Sequence, residues 1–291
     1  MPPFIRLAVV LAICWPASLD AQQAEPNRPA QQGQQPDLPL RPGSVRFLVM
    51  GDGGTGDKPQ YEVGAQMERY RRRFPFTFAI MLGDNIYGRE RPQDFEKKFI
   101  QPYKALLDAK VEFHAALGNH DDPNQRYFKP YNLDGARYRT FKKGNVRFFV
   151  IDSNYLDVEQ RKWLEKELAG SGSDWKIAYF HHPLYTTARR GPEVELRAIL
   201  EPLFVKYGVQ VVFAGHEHVY ERLKPQKGIY HFTVGGAAKL RAGDTRQGPL
   251  TDATFDRDRS FLLAEITDKE MYYLAISRTG NVVDRGMIAR K

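Results

Sequence analysis

Residues 76–87, FTFAIMLGDNIY, and residues 209–218, VQVVFAGHEH, decide how the chain is expected to fold. Each is a short apolar run that stops at a glycine followed by a polar residue, the pattern of a buried strand feeding a tight turn. Working outward, the unit recurs. Val45–Met50 runs into Gly51-Asp52-Gly53-Gly54, Val111–Leu117 into Gly118-Asn119-His120-Asp121, and Trp175–Phe180 into His181-His182-Pro183, while Val146–Ile151 is a further apolar strand. Helical spacing falls between these runs at Tyr61–Arg73, from about Asp157, a suitable cap, to Leu168, and at Glu193–Tyr207. The runs Ile229–Val234, Phe261–Ile266, Met271–Ser277 and Val282–Ile288 follow with no helix between them. The fold class is therefore α/β with a mostly β tail.

The chain has 291 residues, 42% hydrophobic and 27% charged, which excludes a disordered, collagenous or multi-spanning protein. Lysine and arginine number 43 against 35 acidic residues, giving a net charge of +8 that suits anionic partners without choosing among them. Leu7–Trp15 is an apolar run too short to span a bilayer of roughly 30 Å, and small residues follow, so residues 1–21 read as a secretory signal peptide. The protein is then secreted or periplasmic, with no transmembrane segment in the mature chain. Lipoprotein anchoring at Cys14 is not expected, because Ile13 is too bulky for the position before the cysteine. Cys14 is the sole cysteine, so the mature chain has no disulfide and no thiolate ligand. Residues 22–44, rich in glutamine and proline, read as a disordered linker, leaving 45–291 as one domain that carries the whole charge excess.

Asp52, Asp84, Asn119, His181, His216 and His218 all stand just after a strand. In sheets of this class ligands collect at the carboxyl ends of strands, so these distant residues are expected to converge. The glycines at 51, 83, 118 and 215 are expected to supply unusual turn torsions. Two carboxylates, an amide oxygen and three imidazoles suit Fe, Mn or Zn. They are too many for one ion with an open position, and fit two ions about 3.5–4 Å apart sharing a carboxylate.

GDGG (51–54), GDNIY (83–87), GNHD (118–121), AYFH (178–181) and GHEHVYER (215–222) resemble, in order, the ligand blocks of the calcineurin-like metallophosphoesterases. Tyr87 and the long last block are more specifically similar to the purple acid phosphatase branch, including its tartrate-resistant type. The resemblance implies a four-layer αββα sandwich and a phosphatase that hydrolyses monoesters by in-line attack of a metal-bound hydroxide. It implies that Asp52, Tyr87 and His218 bind one metal and Asn119, His181 and His216 the other, with Asp84 bridging. His120 would contact the phosphoryl group and protonate the leaving oxygen. The implied cofactors are Fe(III) and a divalent Fe, Zn or Mn ion, because a phenol with pKa near 10 ionises readily only beside a strongly polarising cation. With Asp52, Asp84, phenolate and one hydroxide against these metals, the site keeps a charge of about +1 toward substrate.

The sequence departs from the family where a second substrate-facing histidine is usual, about nine residues after His181; Thr187-Ala188-Arg189-Arg190-Gly191 occupies that stretch. Arg189 or Arg190 is expected to take over the phosphate contact, as a guanidinium matches two phosphate oxygens. His182 is expected to support the site, and His114 and His231 to be core residues. A small phosphomonoester is the expected partner, with no specific nucleic acid. The alternatives are a phosphodiesterase on the same metals and a non-catalytic basic binding module.

Overall fold

Alternate residues of Trp175–Phe180 face opposite ways, and both faces are buried. Trp175, Ile177 and Tyr179 join one apolar core, while Ala178 and Phe180 join a second. A strand buried on both faces belongs inside a layered sheet. In the computed structural model, which describes residues 38–290, the elements follow in chain order. They are β1 (Val45–Met50), α1 (Lys58–Arg71), β2 (Phe78–Leu82), α2 (Pro92–Phe95), a π-helical turn (Glu96–Ile100), α3 (Lys104–Asp108), β3 (Glu112–Ala116), β4 (Arg139–Lys143) and β5 (Val146–Val150). Next come α4 (Val158–Ala169), β6 (Trp175–Phe180), α5 (Val194–Tyr207), β7 (Val211–Ala214), β8 (Tyr220–Leu223), β9 (Tyr230–Val234), β10 (Thr251–Phe255), β11 (Ser260–Ile266), β12 (Glu270–Ser277) and β13 (Val282–Ala289).

These strands form a six-stranded sheet, ordered β13-β12-β11-β1-β2-β3, and a seven-stranded sheet, ordered β10-β8-β9-β7-β6-β5-β4. The sheets face each other across the larger core. The Phe47 ring of the first lies edge-on to Phe148 at 5.2 Å and Phe213 at 6.4 Å, both from the second. Outside the second sheet, α4 and α5 bury Leu164, Leu168, Leu200 and Phe204 on Phe149, Ala178, Phe180 and Val212. Outside the first, α1 buries Val63 and Met67, and Tyr70 meets Phe261 of β11 edge-on. The architecture is the expected αββα sandwich. In each sheet the parallel strands, β1-β2-β3 and β5-β6-β7-β9, end at the same edge, and the polar turns hang from it.

Local chemistry explains the helix starts. The Asp157 carboxylate accepts from the Gln160 amide at 2.7 Å, capping α4 as expected, and Gly208 closes α5 in the left-handed region. Three strands, β4, β8 and β10, and the helical stretch 92–108 are additional to the sequence reading. The polar stretch 239–260 contains β10.

The expected linker 22–44 needs correction at its carboxyl end. Leu38 is buried, and the buried Glu265 carboxylate accepts from Leu40 N at 2.8 Å, Arg41 N at 2.6 Å and Ser44 Oγ at 2.7 Å. Three donors on one buried acceptor hold residues 38–44 against β11. The expected signal peptide and the rest of the linker lie outside the described residues. Among the described residues no helix is long and apolar enough to cross a membrane.

His114 and His231 are both buried, and desolvation holds each imidazole down at about 4. An unfolded histidine titrates near 6.5, so between pH 6.5 and 4 the unfolded chain binds more protons and stability falls as the pH falls. Each histidine contributes a slope of up to about 1.4 kcal/mol per pH unit in that window. Urea unfolding of the protein and of His231→Leu at pH 6.5, 5.5 and 4.5 is expected to show wild type losing stability relative to the variant at each step.

Candidate metal centre

The turns after β1, β2, β3, β6 and β7 bring Asp52, Asp84, Tyr87, Asn119, His181, His216 and His218 together. Tyr87 Oη donates to Asp52 Oδ1 at 2.9 Å and lies 3.2 Å from His218 Nε2, which is itself 3.3 Å from Asp52 Oδ1. On the other side, His181 Nε2 lies 3.1 Å from Asn119 Oδ1 and 3.3 Å from Asp84 Oδ1. His216 Nδ1 lies 2.9 Å from the same Asn119 oxygen and 3.1 Å from His181 Nε2. The Asp84 carboxylate stands between the two groups, with Asp84 Oδ2 buried and without a hydrogen-bond partner.

The chain's torsions aim these side chains. Asp52, Asp84 and His216 take left-handed backbone conformations, with φ of 56°, 52° and 68°. Backbone amides hold the result, with Asp52 N donating to Gly83 O at 3.0 Å, His216 N to Asp52 Oδ2 at 2.9 Å and His120 N to Asp84 Oδ1 at 3.0 Å. This corrects the role expected of the glycines. Gly83 alone of the four has positive φ; the other three are required by close approach. A Cβ on Gly118 would stand 2.2 Å from Asp84 N, and one on Gly215 2.7 Å from Asp52 Oδ2.

Electrostatics fit a cation site. Burial pushes Asp52 up to about 6, drives His181 well below the usual histidine range and takes His216 down to about 3. Neutral imidazoles with free lone pairs are what a metal needs, and His181 Nδ1, 2.8 Å from Leu82 O, donates there and leaves Nε2 free. Burial, with Asp52 and Asp84 alongside, pushes the Tyr87 phenol far up, so it ionises only against a strong counter-charge. Ligand atoms of Asp52, Asp84 and His181 lie within 4.8 Å of one another, as do those of His181, His182 and His216. An orphaned buried carboxylate oxygen beside two such groups fits a pair of ions better than a protein cation, since among the described residues no lysine or arginine pairs with Asp52 or Asp84.

The remaining candidates flank the donors. The exposed His120 ring sits 5.0 Å from that of Tyr87. Arg190 Nη1 lies 3.0 Å from His216 Nε2, whereas Arg189 turns to Asp244 at 3.4 Å with its side chain 72% exposed. His182 Nδ1 lies 2.9 Å from Ser153 Oγ, and its ring is 4.6 Å from that of His216.

Three residues without an assigned role in the sequence reading shape the site. Buried Asp121 accepts from Asn85 N at 2.7 Å, Ile86 N at 3.0 Å and Gly118 N at 2.8 Å, tying the GDN turn to the GNHD turn. Buried Glu221 accepts from Thr187 N at 2.8 Å and from Thr187 Oγ1, anchoring the loop that carries Arg190. Lys239, whose amide donates to Asp52 O at 3.2 Å, places its ammonium 4.7 Å from the centre of the Tyr87 ring. The first two stand inside the quoted motifs, and a charged residue among such turns was the available signal; Lys239 opens the polar stretch 239–260, where loop charges are ordinarily solvated.

A two-sheet sandwich with a dinuclear donor set at its strand ends defines a metal-dependent hydrolase. The chain belongs to the calcineurin-like phosphoesterase family, whose model matches residues 45–220. It is 24% identical to human tartrate-resistant acid phosphatase type 5 over 298 residues, covering 85% of this chain and 92% of that one. It is 25% identical to Arabidopsis thaliana purple acid phosphatase 4 over 280 residues, 82% of each chain. Among solved structures, the purple acid phosphatase PPD1 of yellow lupin superposes with a TM-score of 0.66 at 19% identity, covering 87% of this chain and 55% of that one. GAP50, described as the anchor in the inner membrane complex of Plasmodium, superposes at 0.75 and 17% identity, covering 85% and 89%. The protein is a metal-dependent phosphatase with a dinuclear metal centre.

The contact at Gly118 makes the geometry testable. Gly118→Ala must displace the Asp84 backbone, and misplacing a group at the reacting centre by about 1 Å costs on the order of 100-fold in rate. The variant is expected to hold less than two metal equivalents by elemental analysis and to lose about 100-fold in kcat.

Proposed function

We propose that the protein hydrolyses phosphate monoesters, and that the seven donors hold Fe(III) and a divalent Fe, Zn or Mn ion. Asp52, Tyr87 and His218 would hold the first ion and Asn119, His181 and His216 the second, with Asp84 between them. When bound, such a pair supplies positive charge to the phosphoryl oxygens and a water acidic enough to attack phosphorus. The observation that carries the reading is Tyr87, a half-buried phenol bonded to Asp52 and touching His218, since a phenolate ligand selects a trivalent ion. The apolar run Leu7–Trp15 supports a secreted or periplasmic location.

The chain's own groups divide the remaining work. His120, exposed and with its amide tied to Asp84, would touch the phosphoryl group and protonate the leaving oxygen. Arg190 supplies the second contact. His216 faces Asn119 and His181 through Nδ1, so as a ligand it carries its proton on Nε2, and the guanidinium now beside Nε2 loses that acceptor. Phosphate oxygens then become its partners.

Purified protein is expected to cleave p-nitrophenyl phosphate at least tenfold faster than its bis ester, to lose both activities on chelation, and to show a visible charge-transfer band that Tyr87→Phe abolishes. A faster diester reaction would make it a phosphodiesterase, and a colourless active protein would remove Fe(III). Arg190→Ala is expected to raise KM about tenfold, the worth of one charge-assisted contact, whereas Arg189→Ala leaves it within twofold. Steady-state kinetics on the monoester decides between them.

A further inference from the structure

A cleft of about 740 Å³ opens beside the metal centre, and its wall includes Gly118, Asn119 and His182, residues of the site itself. A volume in the range of small-molecule pockets, continuous with the site, is far more than a phosphoryl group needs. Its lining also includes Tyr155, Leu196 and Pro123, and Tyr155 is 65% exposed.

The charges around this space are one-sided. Arg137, the cation of the wall, is consumed by two carboxylates, donating to Asp152 at 2.7 Å and to Asp157 at 2.6 Å, and its guanidinium also lies 5.2 Å from the centre of the Tyr155 ring. The exposed Glu193 carboxylate has no hydrogen-bonded or ion-paired partner among the described residues. The amino terminus of α5 would by itself welcome an anion, but Glu193 at its cap and Glu195 in its first turn already place negative charge there. The basic groups, Arg190 and Lys239, belong to the donor cluster, beside His216 and over Tyr87.

We infer that this cleft receives the alcohol half of the ester and selects a flat, apolar or aromatic leaving group that bears no further negative charge. The inference rests on the phosphomonoesterase reading and adds its substrate class. The phosphate goes to the basic side and the leaving group to the acidic, aromatic side, where Tyr155 and Leu196 offer it apolar surface. A second anionic group on the substrate would meet Glu193 in the cleft.

The test uses the metal-replete protein on 2-naphthyl phosphate, a disulfonated naphthyl phosphate and glycerol 2-phosphate. Wild type is expected to favour the uncharged naphthyl ester over the sulfonated one by at least tenfold in kcat/KM. Glu193→Lys, an exposed substitution, should shrink that ratio about tenfold, with the change fading at high salt. Tyr155→Ala should lower the naphthyl-to-glycerol ratio several-fold. If wild type prefers the sulfonated ester, or if neither substitution moves its ratio while the esters are still cleaved, the cleft assignment is wrong and the monoesterase reading stands. If none of the three esters is cleaved, both readings fall.

Discussion

Two carboxylates, Asp52 and Asp84, are almost completely withdrawn from water at the seam between two sheets, and no lysine or arginine among the described residues pairs with either. Burying an unpaired carboxylate costs several kcal/mol. The side chains beside them that could carry positive charge are His181 and His218, and burial drives the first of these to the neutral form. The protein thus builds a negative hole that it cannot fill from its own side chains. Bound cations would fill it, so occupancy and local order would be the same free energy seen from two sides.

Holding such a hole open demands that the backbone be turned where it would rather be extended. Left-handed torsions at non-glycine residues cost about 1 kcal/mol or more each, and here Asp52, Asp84 and His216 carry them. The cost is offset by the amides that lock each turn and by Asp121, whose carboxylate collects three backbone donors from two different turns. In three of the four Gly-ligand pairs the ligand itself takes the left-handed turn, with Gly83 joining Asp84 in it, and Asn119 does not. Gly51, Gly118 and Gly215 are small because a neighbouring turn or strand lies where their side chain would go; at Gly51, Val234 O lies 2.9 Å from a would-be Cβ.

How much of this can be read from residues alone follows from where each contact's partner lies. Strands buried on both faces, such as Trp175–Phe180, are continuous apolar words and stand out. The edge strand β4, Arg139–Lys143, reads as a polar loop because its residues are only partly buried or exposed. The strand β8, Tyr220–Leu223, is hidden for the opposite reason, since Glu221 is buried on a loop 34 residues earlier in the chain. The packing of residues 38–44 depends on Glu265, more than 220 residues away, and nothing in a stretch of glutamine and proline announces an acceptor at that distance. The donor set was legible because strand ends converge by topology, whereas the supports of the donors depend on side-chain reach.

An arginine in place of a histidine, as proposed for Arg190, would change what protons can control. A histidine at the phosphate contact would lose its charge above about pH 6.5, so substrate capture would weaken toward neutrality. A guanidinium has no such switch, and the loop that carries Arg190 is anchored to β8 through Glu221 while the Arg190 side chain lies against His216. In the proposed assignment anion capture would thereby be separated from proton transfer, which would fall to His120 alone. The likeness to enzymes named acid phosphatases therefore brings no requirement for acid through this contact. Any acid preference must arise at the donors or at His120, while the buried imidazoles of His114 and His231 make acid a hazard to the fold itself.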